Sequence, residues 1–147
     1  MQVRVQKEAF DFGNETNTFA MAQSDMGAIV TFSGIVRNLE ETKLSYMNVE
    51  HYPGMAEKTI NKIVDDAANR WSLGDVLVIH RYGRLTPGDL IMMVATASKH
   101  RKNAFESALY LMDYLKSRAP FWKKEVTDQS QDWVVSKTED ETALKRW

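Results

Sequence analysis

The sequence predicts an α+β fold: a mainly antiparallel sheet packed by helices in an α/β-hammerhead-like arrangement, with a small extra β lobe, all in one domain over residues 1–147. Two long segments, 55 to 71 and 98 to 118, repeat apolar residues at about 3.6-residue spacing, as helices burying one stripe do. Short β-branched runs elsewhere follow one another with only turn residues between them, as hairpins do. Strand-helix-strand units are too few for a doubly wound parallel sheet, which leaves helices packed on hairpin-like strands.

Taken in order, Val3 and Val5 alternate with Arg4 and Gln6 and predict a short first strand. Asn17 to Gln23 predicts a turn or two of helix, broken at Asp25-Met26-Gly27. GAIVTFSGIVR, 27 to 37, predicts a largely buried strand with Ala28, Val30, Phe32 and Val36 on one face and Ile29, Thr31, Ile35 and Arg37 on the other. Gly34 within it implies a bulge or the close approach of another segment. Arg37 ends this strand, where it either points into a cleft or is a surface residue. Asn38 to Lys43 is polar loop, and Leu44 to Tyr52 an antiparallel partner strand carrying Glu50 and His51.

Pro53-Gly54 turns the chain into a helix from Met55 to Trp71, with Ala56, Ile60, Ile63, Val64, Ala67 and Trp71 on its apolar face and mixed charges outside. After Gly74-Asp75 comes a strand from Val76 to Tyr82, in which His80 and Arg81 read as satisfied sheet residues rather than catalysts. Leu85-Thr86-Pro87-Gly88-Asp89 has turn chemistry and leads into a strand from Leu90 to Ala97.

The stretch from Ser98 to Val126 joins a helix to a crowd of cations. Phe105, Ala108, Met112 and Leu115, with Ala104 and Leu111 beside them, predict its buried stripe, and Ala119-Pro120 ends it. Lys99, His100, Arg101 and Lys102 open the helix; Lys116, Arg118, Lys123 and Lys124 close and follow it. Cations in the last turn complement the helix dipole, whereas cations in the first turn oppose it. A bound anion at the N-terminus would explain them, and so would a solvated basic rim. Thr127 to Asp132 is a polar loop, Trp133-Val134-Val135 predicts an edge strand, and the terminal Trp147 either packs back or meets a partner.

The bulk composition narrows the chemistry. With 147 residues, 44% hydrophobic and 27% charged, the chain has ordinary globular make-up. Its 19 Lys and Arg balance 20 Asp and Glu, so no global charge favours nucleic acid, and an anion site must be a local concentration. The absence of cysteine removes disulfides, thiolate nucleophiles and thiolate metal ligands. His51, His80 and His100 show no metal-ligand spacing, no cofactor motif is visible, and no export signal or membrane-spanning run is present. The expectation is a cytoplasmic protein with no metal, no resident cofactor and no membrane association.

Five segments then carry a resemblance: GAIVTFSGIVRN (27 to 38), EHYPGMAEKTI (50 to 60), HRYGRLTPGD (80 to 89), SKHRKNAFE (98 to 106) and MDYLKSRAPFWKKE (112 to 125). With the terminal KRW they cover nearly the whole chain, and in them the sequence resembles the large, catalytic subunit of molybdopterin synthase. The resemblance implies a homodimer that binds two copies of a small ubiquitin-like sulfur-carrier subunit, forming a heterotetramer. The carrier's C-terminal Gly-Gly thiocarboxylate would enter a pocket and deliver two sulfurs to cyclic pyranopterin monophosphate, making the dithiolene of molybdopterin.

The resemblance also implies essential lysines at Lys116 and Lys123, and substrate-anion contacts at Arg37, His100 and Arg101. Ile35, Val36, Lys124 and Glu125 would line the same site. Ile35 stands where some members carry lysine, and Lys137, in the phosphate region, stands where an arginine is expected, which keeps the charge but loses a bidentate fork. A chain without cysteine cannot supply the sulfur itself, which suits a delivered thiocarboxylate. A partly desolvated cationic pocket would depress a lysine's pKa and free its amine, with Lys116 as the reacting amine and Lys123 as acid/base, or the reverse. Phe32 and the pair Phe121-Trp122 would stack on the pterin or clamp the tail, with core packing the better reading of Phe32. The competing class is a non-catalytic basic-pocket module for a nucleotide or RNA element, with strongly salt-dependent affinity.

Overall fold

The computed structural model describes residues 1–147. Its elements are β1 (Gln2–Gln6), α1 (Phe12–Met21), β2 (Ala28–Ile35), β3 (Tyr46–His51), α2 (Met55–Trp71), β4 (Asp75–Arg81), β5 (Gly83–Leu85), β6 (Leu90–Ser98), α3 (Arg101–Arg118), β7 (Phe121–Val126), β8 (Gln131–Trp133) and α4 (Thr138–Ala143), then a 3-10 turn at Leu144–Arg146. They form two four-stranded sheets, ordered β1-β4-β6-β2 and β5-β3-β7-β8. Only β1 and β4 run parallel, so the fold is of the expected α+β class. No helix is long and apolar enough to cross a membrane.

Alternation along β4 sorts the core into two layers. Val76 and Val78 pack with Ile60, Val64, Leu111 and Leu115 under α2 and α3, whereas Leu77 and Ile79 pack with Phe10 and Phe19 at α1. The first helix begins five positions before the expected Asn17, because the Asp11 carboxylate caps it, accepting from the Asn14 N–H at 2.9 Å. The second runs over the expected Met55 to Trp71. Its start is set by Gly54 at φ +81°, whose N–H donates to Glu57 at 2.8 Å.

Three expectations need correction, and one strand was not foreseen. The strand at 28 to 35 is a sheet edge rather than largely buried, and leaves Phe32 42% and Ile35 60% exposed. Its register with β6 slips between Gly34 and Ile35, the bulge that Gly34 implied. Secondly, β3 does not pair with β2; it lies between β5 and β7 in the other sheet, and the additional lobe is thus a full sheet. Thirdly, residues 121 to 126 continue the cationic stretch as strand β7, which pairs with β3 and β8. Finally, Phe105 does not belong to the buried stripe of α3. It is 63% exposed, and the helix buries Ala104, Ser107, Ala108, Tyr110, Leu111 and Leu115, one position round.

Trp147 packs back. Its ring lies 5.7 Å from Trp71 and 5.5 Å from Tyr110, and its indole N–H donates to Asp113 at 2.7 Å. This closure holds α4 against α3, assisted by an Arg118–Glu141 ion pair at 2.8 Å.

Candidate active site

Where the two sheets meet, a cleft of about 490 Å³ opens between the end of β2, β6, the last turns of α3, and β7. The local sequence explains the meeting. Pro120 forces Ala119 into an extended conformation (φ −70°, ψ 129°), so the helix stops and the chain turns at once into β7. Lys116, in the last turn of the helix, and Lys123, on the face of β7 shared by Phe121 and Glu125, therefore reach the same space. A second, polar cavity of about 130 Å³ adjoins the first, and His80, Leu115, Lys116, Lys123 and Val134 line both.

The end of β2 is pinned in place by backbone bonds. Val36 N–H donates to Asp89 O at 2.9 Å and Gly88 N–H to Val36 O at 2.8 Å, across the turn at 86 to 89. A Cβ on Gly34 would lie 3.2 Å from an Ile91 methyl and 3.3 Å from Met92, a tight fit in which those side chains would have to give by a few tenths of an ångström. The bulge presents Ile35 and Arg37 at the mouth of the cleft, with Val36 buried beneath. Arg37 donates only to the Asn38 carbonyl, at 3.3 Å, and has no carboxylate partner.

The sequence-predicted residues divide into four groups. Lys116, Lys123, Ile35, Val36, Arg37 and Glu125 line the large cleft together. Lys137, preceding α4, faces the smaller cavity beside Asp140. Lys124 turns to the opposite face of β7, its ammonium 5.4 Å from the Trp133 ring. His100 and Arg101 stand apart, exposed at the far end of α3. The fifteen residues from Arg101 to Lys116 span roughly 22 Å of helix. Phe32 lines the cleft rather than the core, and Phe121 lines the smaller cavity.

Electrostatics single out Lys123. Burial in the cleft, and then the nearby charge of Lys116, push its pKa below the ordinary lysine range against a smaller opposing pull from Asp140. Sequence reasoning missed His80 as a member of the site. The ring lies flat on Phe121 (centroids 3.8 Å apart, planes 12° apart) and its Nδ1 sits 2.9 Å from the Arg81 carbonyl oxygen. Burial, followed by the charge of Lys123, pushes its pKa down to about 3. The available signal was alternation: His80 falls on the same buried face of β4 as Val76 and Val78.

In chemical terms the cleft holds one desolvated amine, a second cation beside it, a neutral imidazole and an unpaired guanidinium at the mouth. That suits acyl chemistry on an anionic substrate.

Known proteins resemble this chain along its length. A chain from Cereibacter sphaeroides named molybdopterin synthase catalytic subunit is 58% identical over 147 residues, covering 100% of both chains. The solved molybdopterin biosynthesis MoaE protein of Burkholderia ambifaria superposes with a TM-score of 0.84 at 44% identity, covering 100% of this chain and 98% of that one. A chain of the Staphylococcus aureus molybdopterin synthase crystal structure superposes with a TM-score of 0.82 at 29% identity, covering 90% and 96%. The family model described as MoaE protein matches residues 5–118, most of the α+β frame that builds the cleft, and the chain belongs to that family.

Proposed function

We infer that this chain is the catalytic subunit of a molybdopterin synthase. It transfers two sulfurs from the C-terminal thiocarboxylate of a small ubiquitin-like subunit to cyclic pyranopterin monophosphate, forming the molybdopterin dithiolene. The observation that carries this reading is the pair Lys116 and Lys123, brought from a helix and a strand into one cleft with Arg37 at its mouth. The chain holds no thiol, so the sulfur must arrive on a partner. Nothing in the geometry favours a nucleotide or RNA module.

The chemistry assigns the groups. The carrier's thiocarboxylate sulfur bonds to a side-chain carbon of the pterin as the carbon–oxygen bond there breaks and the oxygen leaves as water or phosphate. An amine or water then attacks the acyl carbon and breaks its bond to sulfur, which stays on the pterin as thiolate; with water the carrier leaves as carboxylate, and with the amine it is held as an amide that water must cleave before the next carrier reacts. An attacking amine must be unprotonated, which the burial of Lys123 promotes, so we assign Lys123 as the reacting amine. Lys116 supplies positive charge to the developing oxyanion. Arg37 and Lys137 hold the substrate's anionic groups, and Ile35, Val36 and Glu125 shape the wall.

His100 and Arg101 join the site through a second copy of the chain. The edge strand β2 starts at Ala28, opposite Ser98, and a Cβ on Gly27 would lie 2.8 Å from the Lys99 carbonyl oxygen. Its other end reaches the cleft at Ile35. Pairing two such edges antiparallel about a two-fold axis sets each copy's 98 to 101 segment beside the other's cleft. The exposed Phe32 and Ile35 supply apolar surface for that contact. We propose this homodimer, carrying one small subunit at each end, as the working heterotetramer in the cytoplasm, with residues 1–147 as one catalytic domain. Reconstitution with a thiocarboxylated small subunit and the cyclic pyranopterin, followed by a dithiolene assay, tests the reading. Absence of product with both partners bound overturns it.

A further inference from the structure

We propose that His80 is a positioning residue for sulfur transfer: once the small subunit's tail occupies the cleft, its Nε2, unbonded in the free chain, accepts a hydrogen bond from the Lys123 amine and directs that amine's lone pair toward the acyl carbon, a role that rests on Lys123 being the reacting amine.

The tautomer follows from the contacts. A carbonyl oxygen only accepts, so the 2.9 Å contact between Nδ1 and Arg81 O puts the proton on Nδ1 and leaves Nε2 of the neutral ring as a bare acceptor. Nε2 has no partner within the protein and is not among the sealed, unsatisfied polar atoms, which are Arg4 Nε, Thr16 Oγ1 and Ser117 Oγ. It therefore opens toward the cavities that His80 lines. The ring cannot swing, because it is 5% exposed and stacked at 3.8 Å on Phe121.

Titratable groups from several elements line the cavities with His80: Lys123 and Glu125 from β7, Lys116 from α3, Arg37 beyond β2, and Lys137 and Asp140 at the start of α4. Lys123 and His51, on β3, act on the ring by charge. An ionised Asp140 has no hydrogen to give. His51 lies beyond Phe121, its ring 6.1 Å from that residue's. Lys123 is the best placed of the lysines, since it emerges on the same face of β7 as the stacked Phe121, roughly 7 Å further along. It also exerts the largest effect of any charged group on His80.

A ring that stays neutral down to about pH 3 cannot take the lysine's proton near neutrality, so general-base duty is excluded and hydrogen-bond acceptance remains. An acceptor stabilises an ammonium more than an amine, so removing it lowers the amine's pKa. Loss of Nε2 should thus make Lys123 more often neutral and yet less reactive, a combination that loss of packing does not produce.

The test uses the complex with the thiocarboxylated small subunit and three variants. His80→Asn keeps a donor for Arg81 O but has nothing at Nε2, His80→Phe keeps the stack and loses both nitrogens, and His80→Gln restores an amide near Nε2. Single-turnover sulfur transfer and the rate of Lys123 modification by acetic anhydride are followed against pH. We expect His80→Asn and His80→Phe to slow transfer roughly tenfold or more, without weaker binding of subunit or pterin. The Lys123 modification midpoint moves to lower pH in both, and His80→Gln recovers most of the rate. Should one of the two fail to fold, by melting temperature and subunit binding, the other carries the same comparison. Transfer within twofold of wild type, or equal slowing in all three variants with an unmoved midpoint, overturns the proposal. Lys123→Ala serves as reference: if it is inactive while His80→Asn is normal, only the role of His80 fails, and if it is active, the assignment of Lys123 fails as well.

Discussion

Lys116 and Lys123 face each other across the break made by Pro120, and the charge on Lys116 is the largest single charge acting on Lys123. Removing that charge by Lys116→Met leaves burial as the only depressing influence, so the Lys123 pKa rises toward the ordinary lysine range. If the neutral amine reacts, the acid limb of the single-turnover pH profile moves to higher pH in Lys116→Met. Asp140 pulls the other way, and Asp140→Asn moves the same limb to lower pH. Shifts of the same sign in the two variants would refute the assignment.

Lys123→Ala and Lys123→Arg should both lose at least about a hundredfold in single-turnover rate, since the first has no amine and the second carries a group that stays protonated. Small-subunit binding, measured by calorimetry, should be unchanged in Lys123→Arg. A lysine needed only for its charge would instead tolerate arginine.

Stability should depend on pH through His80. The unfolded chain binds a proton at this histidine below about pH 6.5, while the folded state resists it until about pH 3. The unfolded state therefore holds more protons throughout this window, so stability rises with pH across it and is lost as pH falls. From pH 7 down to pH 4.5 the loss from this one residue is roughly 2 to 3 kcal/mol. Urea unfolding of wild type and His80→Phe at the two pH values isolates it, because other groups cancel in the difference. Parallel losses in the two proteins would contradict the geometry.

Much of this fold was legible in the sequence, and the failures have physical causes. The second helix was readable from Pro53-Gly54 through Trp71 because its apolar period is long and local. The partner of β3 was not, since nothing in YMNVEH chooses β5 and β7 over β2; that choice is made by contacts distant in sequence. The seventh strand was hidden because FWKKEV turns charged residues toward a cleft, where the alternation of apolar and polar residues does not hold. Charge alone left Lys116 and Lys123 indistinguishable from Arg118 and Lys124, and only the family resemblance separated them. The resemblance, in turn, did not show that His100 and Arg101 lie a helix length from both lysines.

The terminal tryptophan should act as a clasp on the second cavity. Trp147→Ala removes its edge-on contacts with Trp71 and Tyr110 and its bond to Asp113, and for a half-buried ring the cost is about 2 kcal/mol. Since α4 carries Asp140 beside Lys137, the same change should weaken pterin binding more than small-subunit binding. Thermal melting with titrations of each partner measures both effects.

The separation of His100 and Arg101 from the lysines supplies the most demanding prediction. In one chain roughly 22 Å of helix divides Arg101 from Lys116. If each cleft is completed by the neighbouring copy, an Arg101→Ala dimer and a Lys123→Ala dimer are both inactive, each lacking one half of every site. Mixing them and letting subunits exchange yields dimers that carry both defects at one cleft and none at the other. Activity should then reappear, approaching about a quarter of wild type at full exchange, since half of the dimers are mixed and half of their clefts are intact. An Ile35→Glu change on the exposed edge of β2 should prevent dimerisation, seen by light scattering, and should abolish the recovery. If the mixture stays inactive while exchange is demonstrated, then Arg101 acts within its own chain or not at all, and the antiparallel pairing of β2 edges is wrong.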